Sequence, residues 1–66
     1  MAATIDDIKE WKSEGKRRGA THVISVWDTF DHEDYPVYVM PGENLNEKRA
    51  KYDGPNMQRV NEVIKL

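Results

Sequence analysis

The chain contains no cysteine. That absence excludes a disulfide framework, a cysteine-ligated zinc ribbon and a thiol nucleophile. Glycine is sparse, at four residues, and the stretch Gly15-Lys16-Arg17-Arg18-Gly19 lacks the spacing of a phosphate-binding loop. No apolar run is long enough for a signal peptide or a transmembrane span, so a soluble cytoplasmic protein is expected. Charge of one sign is not in large excess: 10 Lys and Arg stand against 12 Asp and Glu, for a formal charge of −2 and a pI of about 5.6. Neither a basic nucleic-acid-binding domain nor an acidic tail fits that balance, and neither nucleic acid nor membrane is expected as a partner. Length is short as well. At 66 residues the chain is expected to form a single domain over 1–66, below the roughly 70 residues at which a hydrophobic core becomes comfortable. With 38% apolar residues it can fold around a thin core but cannot enclose a large substrate cavity. There is no internal repeat and no low-complexity segment.

A more local absence organises the rest. Residues 21–40 hold no Lys or Arg, against Asp28, Asp31, Glu33 and Asp34, a charge of −4. Residues 1–20 and 41–66 each carry five basic and four acidic groups, +1 apiece. An acidic element therefore lies between two of mixed charge.

The flanking segments read as helices. Over residues 4–18, Thr4 is a good N-cap, Asp6 and Asp7 suit the positive end of the helix dipole, and Lys16, Arg17 and Arg18 suit the negative end. Gly19 is a natural residue to close the helix. Ile5, Ile8, Trp11 and Gly15 fall on one face. An interior glycine costs about 1 kcal/mol relative to alanine, and close approach to a sheet is the expected compensation for Gly15. Residues 21–30 are rich in β-branched and aromatic side chains and predict a strand with Val23, Ser25 and Trp27 on one face and Ile24, Val26 and Asp28 on the other. Apolar groups on both faces suggest cover on both sides, with a second subunit as one source. A partner strand over 35–40 follows the polar loop 31–34, and Pro36 marks its start or its free edge. Residues 43–52 fit either a short helix or an ordered loop. After the break Asp53-Gly54-Pro55, Asn56 is expected to cap a last helix with Met57, Val60, Val63 and Ile64 as its apolar stripe. The predicted order is α-β-β-(α)-α: an α+β domain with a small antiparallel hairpin sheet packed by helices.

No catalytic group can be assembled with assurance, and no cofactor is expected. Asp28, Asp31, His32, Glu33 and Asp34 form the densest polar cluster. They can serve as a solvated turn, as a docking element for a basic protein surface, or, using Asp28, Asp31, His32 and Asp34, as a metal-assisted hydrolytic site. The cluster lacks the glycine and terminal glutamate of an EF-hand. His22 reads as a packing or hydrogen-bonding residue. Lys16, Arg17 and Arg18 complement the helix dipole or grip a phosphorylated ligand, with at most two of them sharing a site because they span one turn. Lys48, Arg49 and Lys51 are a second basic group. Tyr35 and Tyr38, three apart in an alternating strand, point to opposite faces, so one of them is expected to meet a partner or solvent.

Gly19-Ala20-Thr21-His22, Asp28-Thr29-Phe30-Asp31 with Glu33-Asp34-Tyr35-Pro36-Val37-Tyr38-Val39, and Asn56-Met57-Gln58-Arg59-Val60 resemble a group of small accessory proteins encoded by tailed bacteriophages. The pattern brings no known chemistry and no catalytic residues with it. What the resemblance implies is context: such proteins often inhibit a host factor, counter a host defence or sequester a nucleotide signal, many of them as oligomers. A non-catalytic binding protein acting as a homo-oligomer in the host cytoplasm is the resulting expectation, with a host protein or a nucleotide as its ligand.

Overall fold

The computed structural model describes residues 4–54 and 57–66. The elements run α1 (Ile5–Arg18), β1 (His22–Asp28), β2 (Glu33–Val39), α2 (Leu45–Tyr52) and β3 (Gln58–Lys65). They form an α+β domain whose antiparallel sheet has the order β2-β1-β3. Among the described residues, no helix is long and apolar enough to cross a membrane.

Helix α1 starts and stops where its sequence says it should. The Thr4 hydroxyl accepts from the Asp7 N–H at 3.1 Å, and the Asp7 carboxylate accepts from the Thr4 N–H at 3.2 Å, a reciprocal cap that satisfies two otherwise unpaired donors. At the other end Gly19 turns left-handed (φ 79°), while Gly19 N–H donates to Lys16 O at 3.1 Å and Ala20 N–H donates to Gly15 O at 2.8 Å. That pair of bonds satisfies the last carbonyls. Gly15 is buried, and a Cβ placed on it would stand 2.6 Å from Leu66 Cδ1 and 3.1 Å from Val23 Cγ2. The expected close approach of helix to sheet is what its missing side chain permits.

Strand β1 is central and its middle is enclosed: Val23, Ile24, Ser25 and Val26 are all buried. Its cross-strand partners sort the sheet into two faces. Val23, Ser25 and Trp27 stand opposite Tyr38, Pro36 and Asp34, and α1 lies on this side, with Gly15 against Val23 and Tyr38. Ile24 and Val26 stand opposite Val37 and Tyr35. With Val39 they form the core that Leu45 and Tyr52 of α2, and Val60 and Val63 of β3, pack against. Burying each such aliphatic side chain contributes about 1.5–3 kcal/mol. The two apolar faces of β1 are thus covered by two helices of the same chain, and no second subunit is needed to explain them. The segment 43–52 resolves as helix from Leu45, with Asn44 Oδ1 accepting from Glu47 N–H at 3.1 Å.

The last element departs from expectation. Residues 58–65 form an edge strand, not a helix, and the Asn56 cap proposed for that helix lies outside the described residues. The cause is a β-bulge. Ser25 pairs with Glu62 and Val26 with Val60, so Asn61 is an extra residue in β3. Val60 and Val63 are three apart and would face opposite ways in a regular strand. The extra residue returns both to the α2 side, where they join the core. A spacing of three, which reads as helical, is here a bulged strand.

Both edges of the sheet are blunted. Pro36 sits inside β2 opposite Ser25, on the free edge that can tolerate its missing N–H. The bulge interrupts β3.

Candidate functional site

Three polar regions carry the candidate residues, and the fold treats them differently.

At the C-terminal end of α1, Glu14 collects both arginines. Arg17 grips its carboxylate through Nε (2.8 Å) and Nη2, and Arg18 Nε donates to it at 3.0 Å. Hydrogen bonds from Arg17 and then Arg18 hold the Glu14 carboxyl down at about 2, and the same contact raises Arg17. The Arg18 guanidinium also lies 4.7 Å from the centre of the Tyr38 ring, a cation–π contact. Burial pushes the Tyr38 hydroxyl up. Lys16 is exposed and takes no part in this cluster. An open cleft of about 560 Å3 beside these residues is lined by Glu10, Trp11, Glu14, Arg17, Pro36 and Tyr38 among others. Its wall holds two carboxylates against one guanidinium, a balance that does not favour an anionic ligand.

On the other face Tyr35 belongs to the interior. Its ring meets Tyr52 edge-on at 6.5 Å, its hydroxyl accepts from Gln58 Nε2, and burial raises its pKa. Tyr35 and Tyr38 point to opposite faces, as expected, and each lies beside one helix, Tyr38 also lining the open cleft. Of the second basic group, Lys48 is held by Glu43 at 2.8 Å, which keeps that carboxyl below its usual range.

The third region is the acidic end of the sheet, where the β1–β2 turn meets the start of β3. Asp28 Oδ1 accepts from Phe30 N–H at 2.9 Å and Asp31 N–H at 3.1 Å, so this carboxylate builds the turn. His32 closes it in the left-handed region (φ 57°), with its ring 5.8 Å from that of Trp27. Asp34 accepts from Asn61 Nδ2 at 2.9 Å, a bond that reaches across β1 from β3. Thr29 ties the turn to β3 twice, donating N–H and Oγ1–H to Met57 O. Asp31 and Glu33 are exposed and accept no hydrogen bond among the described residues. Beside them stand two large apolar side chains, Phe30 at 71% exposure and Met57 at 56%.

Asp28, Asp31, His32, Glu33 and Asp34 thus lie on one hairpin end, as their spacing predicts. Among the described residues no three His, Asp or Glu groups gather closely enough to hold a metal ion. Phe30 and Met57 are absent from the candidates that sequence supplies. An aromatic residue inside the polar run 28–34 was a visible signal for Phe30. Nothing local marked Met57, whose spacing assigned it to a helical core. No family model, no curated protein and no solved structure matches the chain.

Proposed function

We propose that this chain is a non-catalytic binding domain that docks the acidic end of its sheet onto a basic surface of another protein. The supporting observation is the prebuilt turn: Asp28 fixes the backbone, Thr29 ties it to β3, and Asp31 and Glu33 project from it in a stretch with no Lys or Arg. Carboxylates on a fixed frame lose little freedom on binding, and complementary charge steers encounter with a cationic surface. Capture of a phosphorylated ligand by Arg17 and Arg18 is the weaker reading, because Glu14 already occupies both guanidinium groups. The resemblance to small tailed-phage proteins is the reason to propose a host protein in the host cytoplasm as the target, with inhibition or counter-defence as the outcome. A homo-oligomer is proposed on the thin core alone, now that both faces of β1 are covered within the chain; sedimentation showing only a 7.7 kDa species at micromolar concentration removes it.

The test is charge reversal. Asp31→Lys with Glu33→Lys, at two exposed carboxylates, is expected to abolish binding to a basic partner while shifting stability by only about 0.5 kcal/mol per site. Wild type and double variant serve as paired baits for host lysate, with thermal melts alongside. Identical sets of captured proteins would refute the reading.

A further inference from the structure

The described chain leaves three large hydrophobic side chains markedly exposed: Ile5, Phe30 and Met57. Two of them, 27 positions apart in sequence, are brought to one end of the sheet. The bond from Thr29 N–H to Met57 O (2.8 Å), doubled by the Thr29 hydroxyl, makes the residue before Phe30 a direct neighbour of Met57. We propose that Phe30 and Met57 form an apolar anchor inside the acidic end, which seats on an apolar patch ringed by lysine or arginine on a partner protein.

The proposal rests on the docking reading above and specifies what that reading leaves open, the chemistry of the partner. Charge complementarity selects the occupant. Asp28, Asp31, Glu33 and Asp34 share this end of the sheet with the anchor, from the two strands and the turn, while Arg59, opposite Trp27, is the basic residue of the neighbouring strand. A second copy of this end would set like carboxylates against each other. Anionic headgroups and nucleic-acid phosphates are repelled for the same reason. A protein surface that is apolar at its centre and cationic at its rim satisfies both components.

The backbone carrying the anchor is fixed before binding. Asp28 Oδ1 holds the N–H groups of Phe30 and Asp31, so the aromatic ring is presented by an ordered turn. Phenylalanine has only two side-chain torsions to lose, and methionine adapts its shape to an irregular patch. Neither residue is spent on the core, whose hydrophobic members are Val23, Ile24, Val26, Val37 and Val39.

Two labelled peptides of equal length and equal positive charge test this, read by fluorescence anisotropy against the full chain. One is an amphipathic Leu/Lys helix, which offers leucines flanked by lysines; the other is its Ser/Lys counterpart, with charge alone. The Leu/Lys peptide is expected to bind roughly tenfold tighter, the size expected for partly burying one aromatic and one thioether side chain. Phe30→Ser or Met57→Ser should each remove part of that advantage and the two together nearly all of it, with Ser/Lys binding unchanged. Phe30→Leu should retain it. Equal affinity for the two peptides, or an advantage that survives the double serine variant, overturns the anchor while leaving the electrostatic reading intact. Failure of both peptides to bind overturns both readings.

Discussion

The C-terminal end of α1 and the hairpin end of the sheet are both dense in charge, yet only at the hairpin do the charged side chains share one sign. At α1, Glu14 offsets one of the two arginine charges it binds, all within a single turn of helix. At the hairpin, Asp28 takes backbone donors and Asp34 takes a neutral amide, so the negative charge of the region is undiminished. Linear charge density is thus a poor guide to what a partner meets. What decides is the sign of the groups that fall three or four residues away on a helix, or across the strand on a sheet.

The sharpest way to break this contrast is to compare the two ends in one binding assay. Asp31→Lys with Glu33→Lys should eliminate binding of the Ser/Lys peptide, whereas Arg17→Ala with Arg18→Ala should leave it within about twofold, since groups remote from a contact act mainly through weak, screened fields. Equal losses in the two variants would mean that net charge alone governs binding.

A second comparison concerns how rigidly each end is held. Gly15→Val should destabilise the fold by about 3 kcal/mol in urea denaturation, because branched methyl groups must enter space already filled by Val23 and Leu66. Gly15→Ala is expected to cost about 1 kcal/mol, overpacking outweighing the gain in helix propensity. Stabilisation by alanine would show that Leu66, at the flexible end of its side chain, moves aside freely.

The smallest effect is a pH dependence specific to α1. The Glu14 carboxyl is lowered from 4.5 to about 2 in the folded chain by Arg17 and Arg18. A depressed folded-state value means that the stabilisation is fully present above about pH 4.5 and is lost as pH falls toward about 2. The pair is at the surface, so added salt should shrink it. Thermal melts between those pH values should therefore show a shallower acid decline in Glu14→Gln than in wild type. Parallel curves at low salt would show that the ion cluster contributes nothing to folding.

Much of the fold was legible locally. Thr4, the first-turn aspartates and Gly19 bound α1, and each acts through groups within five residues of itself, which is why composition and spacing sufficed. The β-branched and aromatic run in 21–30 identified β1, and the polar turn after it identified the hairpin. The acidic cluster was legible too, because a tight turn necessarily gathers Asp28, Asp31, Glu33 and Asp34. Asn44 shows the limit of local reading. It caps α2, yet the segment held too few apolar residues to distinguish helix from loop until Leu45 and Tyr52 found the core on the far side of the sheet.

Four features were decided only by tertiary structure. Residues 58–65 became a strand because β1 offered an unpaired edge, and that pairing joins residues 30 or more positions apart. The bulge at Asn61 disguised the strand by giving its core valines a helical spacing. Tyr35 and Tyr38 could both be packed because the chain places one helix on each face of its sheet, an arrangement no window around the tyrosines contains. The meeting of Met57 with the hairpin turn has the same origin, since the bond from Thr29 exists only once β3 lies beside β1. Sequence by itself determined where helices begin, where chains turn and where charge concentrates, since those depend on near neighbours. Which face is covered, which edge is filled and which side chains meet at the acidic end depended on pairing between distant segments, whose energy resides in no segment alone.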